Sequence, residues 1–146
     1  MAAGRCLVSS AMRDGMRLIA VSFQAPNWFN DNYKIKDYGF ENFKHYTIYN
    51  KNQLMEKIQL GKDNIELTLV AENDLVYPLK EEEIKDIKIN ISLNKNIELP
   101  IEKGQVVGRV YTYLKGVLIK EDNLVALDDV REKTIIDRVI DLFRRP

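Results

Sequence analysis

Ile87, Ile89, Ile91 and Leu93 put an apolar side chain at every second residue, with Lys88, Asn90 and Ser92 between them. That period fits a strand with one face on a core and the other in water, and a helix cannot bury such a row on one side. Short β-type runs alternate with turn signals around it. Ile58-Gln59-Leu60 leads into Gly61-Lys62-Asp63-Asn64, and Ile65 to Val70 follows with alternation. Asn73-Asp74 makes a turn before Leu75-Val76-Tyr77, and Gln105 to Leu114 and Val117 to Lys120 flank a hairpin signal at Lys115-Gly116. Strands spaced this closely predict a small β-sandwich over residues 45–129, and a mainly β fold class for the chain.

The flanking segments differ. Arg5 to Met12 and Met16 to Phe23 are β-type runs around Arg13-Asp14-Gly15, whose Asp-Gly pair supplies the positive φ angles of a tight hairpin. Leu18-Ile19-Ala20-Val21 is nearly continuous apolar sequence, which predicts a strand covered on both faces. Pro26-Asn27 then introduces a helix from about Trp28 to Tyr38, with Gly39 placed to end it. Two strands and one helix cannot cover both faces of a sheet, so residues 1–44 read as a remnant of a larger fold. Residues 130–146 read as an amphipathic helix. Ile135, Ile136, Val139, Ile140 and Phe143 form its apolar stripe, and Arg144 and Arg145 suit the negative end of its dipole. Lys80-Glu81-Glu82-Glu83 reads as a solvated loop.

Bulk properties exclude several functions. Lys plus Arg number 22 and Asp plus Glu number 22, so the formal net charge is zero and there is no footprint for nucleic acid. No segment approaches the ~20 continuous apolar residues of a membrane-spanning helix. The first residues, Met1-Ala2-Ala3-Gly4-Arg5-Cys6, lack the basic lead and apolar run of a signal peptide, so the chain as written is expected to stay in the cytoplasm. One cysteine and one histidine, Cys6 and His45, argue against an internal disulfide and against a cysteine or multi-histidine metal site. No cofactor is expected.

Three strings carry a family resemblance. They are Gly4 to Ala11 followed by Asp14-Gly15-Met16-Arg17-Leu18-Ile19-Ala20-Val21, then Tyr38-Gly39-Phe40-Glu41-Asn42-Phe43, then Pro100 to Gly108. In that order they resemble the C-terminal part of low-molecular-mass penicillin-binding proteins, the serine D-alanyl-D-alanine carboxypeptidases, and the likeness covers essentially the whole chain. It implies an α+β transpeptidase-like domain upstream, carrying Ser-x-x-Lys, Ser-x-Asn and Lys-Thr-Gly motifs. A small β-rich domain and an amphipathic helix follow it. The hairpin from Arg5 to Phe23 would be the last two strands of the catalytic sheet, and the helix from Trp28 would pack back on it. The chain's partner would then be the missing catalytic domain, and the parent would be extracytoplasmic and membrane-associated. The family often has a substrate-binding arginine just before that helix. Trp28 stands there, so that contact does not carry over.

No catalytic residue is assigned within this chain. Ser92-Leu93-Asn94-Lys95 matches Ser-x-x-Lys and also Ser-x-Asn, but its serine ends a strand, whereas the nucleophile needs a helix start where serine and lysine share a face. Lys133-Thr134-Ile135 lacks the glycine that lets substrate backbone approach. Ser9 and Ser10 lie on a strand with no partner base in sequence. Cys6 reads as a buried small hydrophobe, and His45 as a surface or junction residue. Gly104 and Gly108 read as turn and packing glycines. Tyr46, Tyr49, Tyr77, Tyr111 and Tyr113 are candidates for a sugar-stacking face, though strand spacing fits core and boundary positions better. The stripe Ile136, Val139, Ile140 and Phe143, with Arg144 and Arg145, is balanced between contact with a membrane surface and docking on the β domain. Two functions follow. One is a spacer or stalk, without an active site, at the end of a carboxypeptidase that trims terminal D-alanine from peptidoglycan stem peptides. The other is a stand-alone β-sandwich module binding cell-envelope polymers or proteins.

Overall fold

The computed structural model describes residues 4–61 and 63–132. Strand makes up 52% of the described residues and helix 16%, so the fold is mainly β. The described residues divide into two compact units, one from residues 4–47 and 76–85, the other from residues 48–61, 63–75 and 86–132.

The first unit opens with β1 (Leu7–Arg13) and β2 (Met16–Ser22), an antiparallel pair with Arg13 opposite Met16 and Leu7 opposite Ser22. Asp14 (φ 49°) and Gly15 (φ 78°) make the turn that the Asp-Gly pair predicts. Helix α1 runs from Trp28 to Asn42. It passes straight through Gly39, so the expected helix end there is wrong. A Cβ on Gly39 would lie 2.5 Å from Leu18 Cδ1. The glycine lets the helix approach the strand closely, which outweighs its poor helix propensity.

Only one face of the hairpin is covered. Met16, Ala20 and Ser22 are buried, whereas Val8 (67% exposed), Met12, Ile19 (68%) and Val21 on the other face are open. The two-sided cover expected for Leu18 to Val21 is therefore not supplied by the described residues. Cys6 is exposed rather than buried. It alternates with Val8, Ser10 and Met12 toward the uncovered face.

In the second unit, β4 (Leu54–Leu60), β5 (Ile65–Ala71), β7 (Ile87–Leu93), β8 (Val106–Leu114) and β9 (Val117–Ala126) form a five-stranded antiparallel sheet in the order β4-β5-β9-β8-β7. A separate ribbon, most of it in the first unit, pairs β3 (Lys44–Tyr49) with β6 (Leu75–Leu79). The Ile87 to Leu93 row is realised in part: Ile91 opposes Val110 while Asn90 opposes Tyr111, but Ile89 and Leu93 stay exposed on this edge strand. Lys115 (φ 50°) and Gly116 (φ 82°) turn β8 into β9, which continues to Ala126, six residues past the expected end. Pairing with β5 at Leu124, Val125 and Ala126 extends it. A Cβ on Gly108 would lie 2.5 Å from the Ser92 carbonyl oxygen, which makes this a packing glycine, as expected.

One continuous core fills this unit. Leu67, Leu69, Val110 and Leu124 are fully buried, and Tyr49 at the end of β3 and Leu75 at the start of β6 join them. Lys80 to Glu83 is not plain loop. Glu81–Asp86 is a 3-10 turn, and the Lys80 amide donates to Glu83 Oε2 at 3.2 Å.

Candidate functional site

Helix α1 buries an asparagine where an amphipathic helix would bury an apolar residue. Asn32 is 1% exposed, and its amide group stitches the helix to both strands of the hairpin. Its Nδ2 donates to Ser22 Oγ at 2.6 Å and to the Trp28 carbonyl at 3.3 Å. Its Oδ1 accepts the Ser9 hydroxyl proton at 2.8 Å. Lys36, one turn on, donates its ammonium to Ser9 Oγ at 3.0 Å and lies over the Tyr33 ring. Sequence spacing gave Ser9 no partner base, yet the fold brings Lys36 to it from 27 residues away. The i, i+4 relation of Asn32 and Lys36 on the helix was the available signal.

This serine–lysine pair is not a nucleophile with its base. An activated serine gives its proton toward the base. Here the hydroxyl proton goes to the Asn32 amide oxygen, and the lysine is the donor to Ser9. A buried polar group tolerates its site only when paired, and this network pairs each member. Its consequence is to fix the register of α1 on the hairpin.

The second buried polar group joins three strands. Tyr49 OH on β3, Thr112 Oγ1 on β8 and Asp122 Oδ2 on β9 are all buried, and none completes a hydrogen bond of ordinary length among the described residues. Burial pushes the Tyr49 hydroxyl above its usual 10.0; the neighbouring Thr112 hydroxyl opposes that shift and the Asp122 carboxylate adds to it. Asp122 Oδ1 is better served, accepting from Asn73 Nδ2 and from the Asn123 amide, both at 2.9 Å. Beside it, Asn123 Nδ2 donates to Glu72 Oε2 at 2.6 Å.

The remaining sequence candidates stay apart. Ser92 is exposed on β7, and Asn94 is tied by its amide to the Val107 carbonyl, which keeps Ser92 to Lys95 off any helix. His45 is exposed beside Lys44 in a shallow hollow lined by Arg13, Met16 and Phe40. Of the five tyrosines, Tyr49 is core, whereas Tyr111 and Tyr113 are half-buried on the outer face of β8. Ile136, Val139, Ile140, Phe143, Arg144 and Arg145 lie outside the described residues, as does Lys133-Thr134-Ile135. Among the described residues no group of three or more His, Cys, Asp or Glu side chains is placed to hold a metal ion, and no helix is long and apolar enough to cross a membrane.

Comparison with known proteins gives consistent results. Residues 43–132 match the family model described as penicillin-binding protein 5, C-terminal domain. The chain is 31% identical over 137 residues to the D-alanyl-D-alanine carboxypeptidase DacF of Bacillus subtilis, covering 90% of this chain and 35% of that protein. It is 30% identical over 145 residues to the D-alanyl-D-alanine carboxypeptidase DacC of Escherichia coli, covering 95% and 36%. The crystal structure of penicillin-binding protein 5 from Haemophilus influenzae superposes with a TM-score of 0.63 at 30% identity, over 89% of this chain and 40% of that one. The chain thus spans little more than a third of the curated relatives it matches.

Proposed function

Since the chain belongs to the family of the penicillin-binding protein 5 C-terminal domain, we propose that it is the C-terminal portion of a D-alanyl-D-alanine carboxypeptidase of the cell envelope. Its role there is that of a spacer or stalk. The catalytic serine and its lysine lie in a preceding domain, whose last hairpin and returning helix are residues 1–44. That domain would remove the terminal D-alanine of peptidoglycan stem peptides through an acyl-serine.

The observation that carries this is the uncovered apolar face of the first unit. Val8, Met12, Ile19 and Val21 line one side of a hairpin that has no third strand among the described residues. Clustered apolar side chains of this kind mark a surface made to be covered. Relatives nearly three times as long have the chain to cover it. The second unit, by contrast, closes its own core, as a spacer must.

The test compares two proteins. The 146-residue chain should take up no mass from a labelled β-lactam. A longer protein read from in-frame upstream coding sequence, with a Lys-Thr-Gly before the hairpin, should be acylated at a serine outside these residues. Acylation of the shorter chain at any serine refutes the spacer assignment. An upstream sequence without Lys-Thr-Gly and Ser-x-x-Lys favours the stand-alone binding module.

A further inference from the structure

We propose that the outward face of β7, β8 and β9 is a binding platform for an extended, neutral oligosaccharide chain. The strand registers build it. Tyr111 lies between Asn90 of β7 and Glu121 of β9, Tyr113 lies beside Lys88, and Arg109 opposes Ser92. Val110 and Thr112 alternate with these residues into the core, so the two tyrosines must share the opposite face. Two positions along one strand set their rings roughly 7 Å apart, within the span of neighbouring sugar rings.

The chemistry of the face selects the ligand. Both tyrosines are half-buried, and among the described residues neither makes a hydrogen bond, ion pair or ring contact. A tyrosine in that state offers an apolar ring and a wet hydroxyl. Sugar rings are apolar on their C–H faces and polar at their rims, which matches tyrosine rings bordered by the Asn90 amide and the Glu121 carboxylate. Charge argues for a neutral chain. Arg109 is matched within the face, at 3.7 Å from Glu121 Oε1 and donating to Asn123 Oδ1, which leaves few unmatched charges near the rings among the described residues, Lys88 beside Tyr113 and Lys120 opposite Thr112. A nucleic acid or polyanionic chain would find too little positive charge here. The two tyrosines follow one another along a single extended strand, and that line favours a ribbon-like β-linked chain over a coiled α-linked one.

This platform is separate from the hairpin that carries the proposed function, so either can fail without the other. The experiment titrates the isotopically labelled chain with chitohexaose and, separately, with maltohexaose, following backbone amide resonances. Chitohexaose at millimolar concentration should shift amides of Asn90, Tyr111, Tyr113 and Glu121 while those of β1 and β2 stay put. Maltohexaose should bind at least tenfold more weakly. The double variant Tyr111→Ala/Tyr113→Ala should lose at least tenfold in affinity while the Leu67 and Leu124 resonances report an intact core. Should the double variant unfold, Tyr113→Ala alone should still lose roughly threefold or more, in line with the worth of one aromatic stacking contact. No shifts with chitohexaose, equal binding of the two sugars, or affinity unchanged in the variants would each overturn the proposal.

Discussion

The hairpin–helix unit and the five-stranded unit contain similar apolar side chains and put them to different use. In the second unit Leu67, Leu69, Val110 and Leu124 are fully buried in one cluster. In the first, Val8 and Ile19 are about two-thirds exposed, and α1 turns Phe29, Tyr33, Ile35 and Tyr38 outward while burying Asn32. Besides the close packing of Gly39 on Leu18, what holds α1 to its hairpin is largely polar: Asn32 with Ser9 and Ser22, Lys36 with Ser9, and an exposed Arg13–Asp37 pair at 3.6 Å. An exposed ion pair contributes little, and paired buried amides contribute about 1 kcal/mol per bond. The lesson is that apolar content does not make a core. A sheet needs a second layer, and the first unit has one on a single side.

Core truncation gives the sharpest contrast between the units. Leu124→Ala should lower stability by about 2–5 kcal/mol, because it leaves a cavity among packed neighbours. Ile19→Ala should change it by no more than about 0.5 kcal/mol, as at an open surface. Urea unfolding of both variants in a chain proven monomeric by sedimentation measures the difference. Equal losses would mean that the hairpin's open face is buried in solution.

A smaller effect separates the two crowded glycines. A methyl group on Gly108 would meet the Ser92 backbone oxygen, which cannot move without parting β7 from β8. Gly108→Ala should therefore cost about 1–3 kcal/mol. On Gly39 the methyl group meets the end of the Leu18 side chain, which can rotate. Alanine also gains up to about 1 kcal/mol of helix propensity there. Gly39→Ala should come out near neutral by thermal melting; a loss matching that of Gly108→Ala would show Leu18 to be rigidly held.

The smallest effect is confined to alkaline solution. Tyr49 is buried with its acidity weakened, so its folded value lies above the unfolded one of 10.0. Its contribution is complete below that unfolded value and is lost as pH rises through the folded value, because the unfolded chain releases the proton first. Melting temperature followed from about pH 8 to about pH 11 should fall more steeply for the native chain than for Tyr49→Phe. Parallel curves would mean that the hydroxyl is not held in the core.

Local rules carried much of this architecture. Positive φ at Asp14-Gly15 and Lys115-Gly116 belongs to the residues themselves, and alternation from Ile87 to Leu93 fixes which side chains face inward once a strand forms. The three sequence strings and the match over residues 43–132 agree on the family. What the tertiary structure alone decided involves contacts between distant residues. Spacing along the chain does not say that β9 will slot between β5 and β8, lengthening it to Ala126. Nor does it say that Gly39 will meet Leu18 and so sit inside a helix rather than end one. The pairing of Ser9 with Lys36 and the exposure of Cys6 are of the same kind. A turn or a strand is set by φ and ψ preferences a few residues wide, whereas burial depends on which other surfaces are present to exclude water, and no single segment encodes its own cover.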